Sequence, residues 1–277
     1  ETSDGRVLEC RHLVVAPGRE GADWLVKEAV RLGLTLHNNP FDIGVRVELS
    51  HSVLKDLTEI LYEPKLELRS KGFGDRVRTF CVCPAGEVTI ESTGGEESVI
   101  TVNGHSYAHH KTENTNFAIL VSAEFSPPFR EPIAFGKSIA RLANIVSGGV
   151  IVQRLGDLES NRFSSSASID GGKVSPTLKC ATPGDIGCVL PHRFLLGVTE
   201  MLSAMERLAP GVCSPDTLLY GVEVKFYSSR LELSGCLETE VANMFAIGDG
   251  AGVTRGLVQA SASGVVVAGE IMKRTGG

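Results

Sequence analysis

The sequence lacks a long apolar stretch, because its hydrophobic runs are short and interrupted by glycine. A membrane-spanning helix needs about 20 consecutive apolar residues, so the chain is predicted to have no transmembrane segment and no membrane partner. No charged segment followed by an apolar stretch opens the chain, which predicts that there is no signal peptide. The first residue is Glu1 rather than methionine, and we expect the chain to start partway through a longer protein, the alternative being removal of a leader segment.

Positive charge is also scarce. The 277 residues include 27 Lys and Arg against 33 Asp and Glu, a formal net charge of -6. Phosphate binding requires concentrated Lys and Arg, so nucleic acid is not expected as a partner. The 7 cysteines are odd in number and irregularly spaced, which favours reduced thiols in a cytoplasmic protein over a disulfide framework. A Gly-x-Ser-x-Gly elbow is absent, so no serine-hydrolase triad is predicted.

The patterns that are present indicate a globular chain of strands and helices. Hydrophobic residues make up 42% of the sequence, enough for a sizeable core. Residues 12–16 are predicted to form a buried strand, and residues 21–33 a helix. Alternating segments separated by glycine turns between residues 44 and 122 indicate a largely antiparallel sheet. Residues 135–147 and 191–208 carry apolar positions at helical spacing.

The order of these elements divides the chain into three segments. Residues 1–36 and 217–277 have α/β character, and residues 37–216 between them mix sheet and helix. Residues 160–176 are rich in serine and glycine and are predicted to form a polar loop. We therefore predict a mixed α/β fold in which two flanking segments enclose a central domain.

The most informative segment is residues 244–264, MFAIGDGAGVTRGLVQASASG. A short apolar run ends in Gly248-Asp249-Gly250 and continues through Gly252 and Gly256 into a helix of small residues. Glycines allow the backbone to approach a ligand, Asp249 can accept hydrogen bonds from sugar hydroxyls, and the first N–H groups of the helix can face an anion. This strand, turn and helix resemble the carboxy-terminal FAD-binding motif of two-dinucleotide-fold flavoproteins. No G-x-G-x-x-G, the usual opening motif of such proteins, occurs in the sequence.

A set of five stretches extends this resemblance over nearly the whole chain. They are residues 16–25 (APGREGADWL), 79–84 (TFCVCP), 153–157 (QRLGD), 221–230 (GVEVKFYSSR) and 248–264 (GDGAGVTRGLVQASASG). In this order they resemble the bacterial and archaeal FAD-dependent dehydrogenases, also called NAD(P)/FAD-dependent oxidoreductases. The resemblance implies that residues 1–36 and 217–277 are the two parts of an incomplete Rossmann-like FAD/NAD(P)-binding domain. Residues 37–216 would be an inserted substrate domain of mixed sheet and helix.

The same resemblance implies a set of cofactor-binding residues: Ala16, Gly18, Gly248, Asp249, Gly250, Arg255, Gly256, Leu257 and Gln259. Asp249 would bind the ribityl or pyrophosphate part of FAD, and Gly248 and Gly250 would permit close approach. Gly256 and Leu257 would begin the helix whose N–H groups face the pyrimidine end of the flavin. Arg255 and Gln259 would line the flavin edge. Ala16 and Gly18 would pass near the adenine-ribose or the domain crossover.

Cys81 and Cys83 allow two interpretations. In a regular strand both thiols point to the same face, which suggests a redox pair or a neighbour of the flavin. Residues two apart in a strand are poorly placed for a disulfide, however, and free cysteine is among the most buried residue types. Buried inert thiols are therefore the favoured interpretation.

Two polar clusters are also open to interpretation. His105, His109 and His110 lie near a glycine turn, where solvated loop residues are favoured over metal ligands, and no metal site is predicted. One of these histidines could instead donate a proton near the substrate. Arg154 and Asp157, with Arg162 in the polar loop, could bind an acidic substrate or a nicotinamide phosphate, or could form a surface ion pair.

These features together predict the C-terminal portion of an FAD-dependent oxidoreductase that transfers hydride between a small-molecule substrate, or NAD(P)H, and FAD. The alternative is a non-catalytic binding or scaffold module that has lost the cofactor half. Catalytic residues are not identified. Because the opening cofactor motif is missing, the chain alone is expected to be inactive, to hold FAD poorly, and to self-associate through exposed strand edges next to Val14 and Ile247.

Overall fold

The computed structural model describes residues 4–18, 21–37, 41–61, 63–93, 98–123, 132–225, 230–254 and 256–276. The chain forms two compact units. The larger one is Pro40–Phe226, and the smaller one combines Glu1–Asn39 with Tyr227–Gly277.

The helices are α1 (Ala22–Leu32), α2 (His51–Ile60), α3 (Pro132–Ser147), α4 (Leu155–Glu159), α5 (Ser166–Asp170), α6 (His192–Glu206) and α7 (Leu257–Thr275). The strands are β1 (Leu13–Val15), β2 (Leu36–His37), β3 (Phe41–Ser50), β4 (Glu67–Arg69), β5 (Arg76–Cys83), β6 (Glu87–Thr93), β7 (Val99–His105), β8 (Asn114–Ala123), β9 (Ile151–Arg154), β10 (Thr182–Pro183), β11 (Leu218–Lys225), β12 (Arg230–Leu231) and β13 (Met244–Ala246). The mixed α/β fold class predicted from the sequence is confirmed.

The larger unit is built on a seven-stranded mixed sheet in the order β10-β9-β11-β3-β8-β5-β4. Strands β10 and β9 run parallel, and the other neighbours are antiparallel. The long strands β3 and β8 pair along their full length at the centre of the sheet. Strands β6 and β7 form a separate antiparallel hairpin.

One face of this sheet carries the main hydrophobic core. Alternate residues of β3, from Phe41 to Leu49, point to this face together with Phe117, Ile119 and Val121 of β8. Apolar residues of α6 and α3 cover them, among them Phe194 and Ala140. The period of two in the strands and the helical spacing in α3 and α6 produce this packing directly.

The opposite face of the sheet is polar but buried, which the sequence does not predict. The alternation in residues 44–49 is typical of a strand with one solvated face, yet Asp42, Arg46 and Glu48 are all buried. The hairpin β6–β7 packs against β3, β5 and β11 on this side. It contributes Val88 and Val102 to a second hydrophobic cluster with residues of β9 and β11. Polar side chains of β3 are thus enclosed between the sheet and the hairpin.

The smaller unit contains the parallel pair β1–β13 and the antiparallel pair β2–β12. Its core joins Val15 of β1 and Ala246 of β13 with Leu25 and Ala29 of α1. The helix α1 ends at Gly33, whose φ of 70° gives the left-handed stop predicted from the sequence.

Two features differ from the sequence-based division. Strand β11 falls in the predicted segment 217–277, but it pairs with β3 and β9 and therefore belongs to the larger unit. The predicted loop 160–176 contains the short helix α5, which begins with a reciprocal capping box between Ser165 and Ser168. Serine pairs that cap each other in this way favour a helix start, which a composition of serine and glycine alone does not reveal. In the described part of the chain, no helix is both long and apolar enough to cross a membrane.

Candidate functional site

Five of the predicted cofactor residues lie at the carboxyl ends of two parallel strands of the smaller unit. Strands β1 and β13 pair from Leu13 and Met244 onward, and the N–H of Ile247 donates to the carbonyl of Val15 at 3.0 Å. Each strand then enters a turn, residues 16–18 after β1 and residues 248–250 after β13. In parallel sheets, ligands bind beyond the carboxyl ends of the strands. The fold therefore places Ala16, Gly18, Gly248, Asp249 and Gly250 together at such an edge, and their role in binding FAD stays a prediction.

The glycines of this edge serve two different purposes. A Cβ on Gly250 would lie 2.1 Å from the carbonyl oxygen of Gly18, so Gly250 is required by the close approach of the protein's own two turns. Gly18 and Gly248 have φ values of 68° and 77°, and the place of a Cβ on either is open. Open space above two backbone turns is compatible with a ligand lying against them.

Asp249 connects the turn to the start of the last helix. One of its carboxylate oxygens, Oδ1, accepts hydrogen bonds from the Thr254 hydroxyl at 2.6 Å and from the Gly256 N–H at 3.1 Å. Gly256 has a φ of 137°, a conformation that L side chains rarely adopt. The carboxylate therefore holds Thr254 and Gly256 in place, an internal role in addition to the one implied by the family resemblance.

Helix α7 presents an open N-terminus. The N–H of Ala260 donates to the carbonyl of Gly256 at 2.9 Å, which is the first hydrogen bond of the helix. An α-helix leaves its first N–H groups without intrahelical acceptors, and they carry partial positive charge. Leu257 is 88% exposed and Gln259 is also exposed. The remaining predicted residue, Arg255, lies outside the described residues.

The predicted arginine and aspartate cluster does assemble, in the larger unit. Arg154 Nη2 lies 2.6 Å from Asp216 Oδ1, and Arg162 Nη2 lies 3.5 Å from Asp157 Oδ1. Arg154, Asp157 and Arg162 line an open cleft, whose other lining residues include Ser165, Ser168, Asp185 and Cys188. Arg154 Nε is buried and makes no hydrogen bond within the described part of the chain. Both arginines already have carboxylate partners.

Arg46 is the most unusual residue of the buried polar layer, and the sequence alone does not single it out. Its side chain is fully buried. Its Nε donates to Asn116 Oδ1 at 2.8 Å, and its Nη1 lies 3.4 Å from Glu223 Oε2, a carboxylate that is also fully buried. A Cβ on Gly104 of the hairpin would lie 1.9 Å from Arg46 Nη2. The backbone of the hairpin at Gly104 therefore packs directly against the guanidinium and shields it from solvent.

Glu48 occupies the next position on the same face of β3. Its carboxylate accepts hydrogen bonds from Asn114 Nδ2 at 2.9 Å, from Thr177 Oγ1 at 2.5 Å and from the Tyr220 hydroxyl. Burial raises the pKa of Tyr220 well above its ordinary value, and the nearby Glu48 raises it further. The available sequence signal is the run of charged residues at every second position, Asp42, Arg46 and Glu48, interrupted by Gly44. It indicates a polar face but not what covers that face.

The two cysteines of β5 do not follow regular strand alternation. The pairing of β5 with β8 shifts between Phe80 and Cys83, and Cys81 has a φ of 47°. The prediction that both thiols point to one face of a regular strand is therefore wrong in its premise, because this bulge inserts a residue. Cys83 is buried, Cys81 is half-buried, and both are free thiols.

The histidine cluster lies on the surface. His105, His109 and His110 are all exposed, and His110 Nε2 lies 3.1 Å from Glu87 Oε1. No group of three or more potential metal ligands occurs among the residues that the structure describes.

Comparison with known proteins relates this chain to a protein family and to a bacterial relative. A family described as "FAD-dependent protein, C-terminal domain-like" matches residues 40–226. These bounds coincide with the larger unit, Pro40–Phe226. An uncharacterized protein of Clostridium beijerinckii (strain ATCC 51743 / NCIMB 8052) is 26% identical over 291 residues, which cover 98% of this chain and 53% of that protein. The chain thus spans about half the length of this curated relative.

Proposed function

This chain belongs to the family of FAD-dependent proteins through their C-terminal domain-like region, and from that premise we propose that it is the C-terminal portion of an FAD-dependent oxidoreductase. The proposed reaction is hydride transfer between a small-molecule substrate, or NAD(P)H, and FAD. The family assignment rests on the larger unit. The proposal for the cofactor rests on the smaller unit, whose sequence is also covered by the Clostridium relative.

One observation carries the proposal for the cofactor. Two parallel strands end side by side, and Gly18 and Gly248 leave open space above their turns. The exposed N-terminus of α7 follows from the same turn. Backbone accessible to a ligand, next to N–H groups with partial positive charge, suits an anionic or carbonyl-bearing cofactor such as FAD.

FAD, when bound, supplies the hydride-transfer chemistry. The contribution of the chain is orientation and electrostatics. Asp249 holds Thr254 and Gly256 so that the turn keeps its shape, and the first N–H groups of α7 favour negative charge at that point. We propose that Ala16, Leu257 and Gln259 contact the cofactor from the same edge.

The substrate is proposed to bind the larger unit, which corresponds to the substrate domain expected from the sequence. Its open cleft is lined by Arg154 and Arg162, and guanidinium groups are suited to an acidic group such as a carboxylate or a nicotinamide phosphate. We further propose that the protein acts on a small molecule in the cytoplasm, and that nucleic acid and membranes are not its partners.

The test compares the 277-residue chain with the full-length Clostridium relative. Both proteins are purified, their flavin absorbance is recorded, and FAD is titrated into each while flavin fluorescence is followed. We expect the relative to bind FAD tightly and the chain alone to bind it weakly. Reduction of the bound flavin by NADH or NADPH without oxygen then tests the hydride-transfer step.

A relative that is colourless and gains no flavin on titration would contradict the proposal and favour the alternative of a non-catalytic binding or scaffold module. If the chain alone holds FAD as tightly as the relative, the expectation that it lacks part of the site is wrong.

A further inference from the structure

The bulge in β5 places two thiols around one buried guanidinium. The strand pairs Phe80 with Ala118 and then Cys83 with Asn116, so it holds one residue more than its partner β8. Cys81 takes the left-handed conformation, with a φ of 47°, and its N–H donates to Glu63 Oε1 at 3.1 Å. A non-glycine residue in this conformation is strained and persists only where its surroundings hold it.

Arg46, in strand β3, contacts both cysteines through its guanidinium group. Its Nη2 donates to the carbonyl of Cys81 at 2.7 Å and lies 3.1 Å from Cys83 Sγ. The thiol of Cys83 in turn donates to the carbonyl of Cys81 at 3.6 Å. Cys83 is buried, and Cys81 is half-buried and can be reached from solvent.

The charges around the pair favour a single thiolate. Arg46 faces the cysteines from β3, and Glu223 faces them from β11. The negative charge of Glu223 is shared, because its Oε1 lies 3.1 Å from Lys225 Nζ and its Oε2 lies 3.4 Å from Arg46 Nη1. The neighbouring Cys83 thiol and the charge of Arg46 together lower the pKa of Cys81 to about 6, against the opposing effects of burial and of Glu223. The neighbouring Cys81 and burial both raise the pKa of Cys83, so Cys83 keeps its proton when Cys81 ionises.

We propose that Cys81 and Cys83 form a reactive dithiol that reduces small-molecule disulfides, with Cys81 as the nucleophile and Cys83 as the resolving thiol. The Cys81 thiolate attacks one sulfur of the disulfide, a new S–S bond forms, and the other sulfur leaves as a thiolate. Cys83 then loses its proton to the medium and attacks Cys81 Sγ, which expels the second thiolate. The dithiol is oxidised by two electrons to a Cys81–Cys83 disulfide, and the substrate is reduced to two thiols.

Three observations distinguish this site from a pair of inert core thiols. The first is that Cys81 is accessible whereas Cys83 is not, which matches the roles of attacking and resolving thiol. The second is that a buried cation lies within hydrogen-bonding distance of Cys83. The third is the bulge itself, because it holds Cys81 in a left-handed conformation and places its carbonyl 3.6 Å from the Cys83 sulfur. The proposal depends only on residues of the larger unit and is independent of FAD binding.

The first test measures alkylation of each cysteine of the native chain by limiting iodoacetamide, from pH 5 to 10, with peptide mass spectrometry. The exposed Cys10 and Cys180 are internal references. Cys81 should react with a midpoint near pH 6. At pH 6 the thiolate fraction of Cys81 should be ~100-fold larger than that of an ordinary thiol. A thiolate of lower pKa is less nucleophilic, which reduces its rate of alkylation by ~10-fold. Cys81 should therefore react roughly 10-fold faster than the reference cysteines. By pH 9 the reference cysteines should react faster than Cys81, because they are then largely ionised and are the stronger nucleophiles.

The midpoint reports ionisation and does not depend on how accessible the thiol is. A Cys81 midpoint at pH 8 or above, or complete protection of Cys81 until denaturant is added, would overturn the proposal. In Cys83→Ala the midpoint should rise, because the neighbouring Cys83 thiol is lost. Cys213→Ala, a matched change at another partly buried thiol of the larger unit, should leave it unchanged.

The second test exposes the chain to glutathione disulfide and analyses the products by mass spectrometry. The unsubstituted chain should lose two hydrogens through a Cys81–Cys83 disulfide and release two equivalents of glutathione. Cys83→Ala should stop at a mixed disulfide on Cys81, which separates the nucleophile from the resolving thiol. Glutathione attached to the reference cysteines but not to Cys81 would refute the assigned roles. A stable mixed disulfide on Cys81 of the unsubstituted chain would refute the role of Cys83.

Discussion

The burial of Arg46 under the hairpin leads to a sharp prediction about Gly104. A methyl group at this position would lie 1.9 Å from Arg46 Nη2 and 2.1 Å from Asn116 Oδ1. Neither neighbour can move into solvent, because both are fully buried. The change Gly104→Ala must therefore displace the hairpin or the guanidinium.

The size of the effect follows from what is displaced. Overpacking a well-packed interior costs about 1–3 kcal/mol. Separating a buried charge from its partner costs about 3–5 kcal/mol, and here the partner of Arg46 is Glu223 at 3.4 Å. Both figures describe the same event and are not summed, so we expect Gly104→Ala to lower the free energy of unfolding by about 3 kcal/mol.

Urea unfolding followed by circular dichroism measures this loss, and hydrogen exchange of residues 41–50 assigns it to the larger unit. Gly149→Ala is the matched control, because a Cβ there meets no atom within 4 Å; it should change stability by less than about 0.5 kcal/mol. In an Arg46→Met background the cost of Gly104→Ala should fall, which a double-mutant cycle detects. Equal losses for the two glycine changes, or no coupling to Arg46, would refute the reasoning.

Three further predictions concern the smaller unit. Asp249→Ala removes two hydrogen bonds that shape the turn, and it should weaken FAD binding at least ~10-fold, measured by flavin fluorescence. Hydrogen bonding by Arg274 lowers the pKa of Glu238 from 4.5 to about 2. The ionised Glu238 therefore stabilises the folded state above pH 4.5, and this stabilisation is lost as the pH falls through 2. Arg274→Gln should remove that part of the acid dependence of the melting temperature. Val265 is 73% exposed on α7, in a stripe of apolar residues spaced by seven; Val265→Asp should reduce self-association in light scattering, whereas Val30→Asp on α1 should not.

Much of the fold could be predicted from the sequence because local patterns determine it. The predicted helices at residues 21–33, 135–147 and 191–208 correspond to α1, α3 and α6 within a few residues. The strand at residues 12–16 and the strand before Gly248 are present as β1 and β13. The periodicity of apolar residues predicts these elements correctly because each helix and strand buries one of its faces.

The candidate cofactor edge was predictable to a similar extent. Glycines directly after an apolar strand indicate a turn, and the structure places the turns after β1 and β13 side by side. The purpose of each glycine was not predictable. Gly250 is required by the backbone of Gly18, more than 200 positions away in the sequence, and no local pattern contains that contact.

Local sequence patterns were enough to predict the mixed α/β class, the main helices and the strand–turn–helix at residues 244–264, since each depends on residues close together along the chain. The covering of the second face of the large sheet, by contrast, is visible only in the folded protein. There the hairpin β6–β7 buries Arg46 and Glu48, and the bulge in β5 leaves Cys81 and Cys83 both in contact with the Arg46 guanidinium. A period of two shows that a face is polar, but whether water or protein covers that face depends on residues from distant parts of the chain. For this reason the dithiol site becomes visible only in three dimensions.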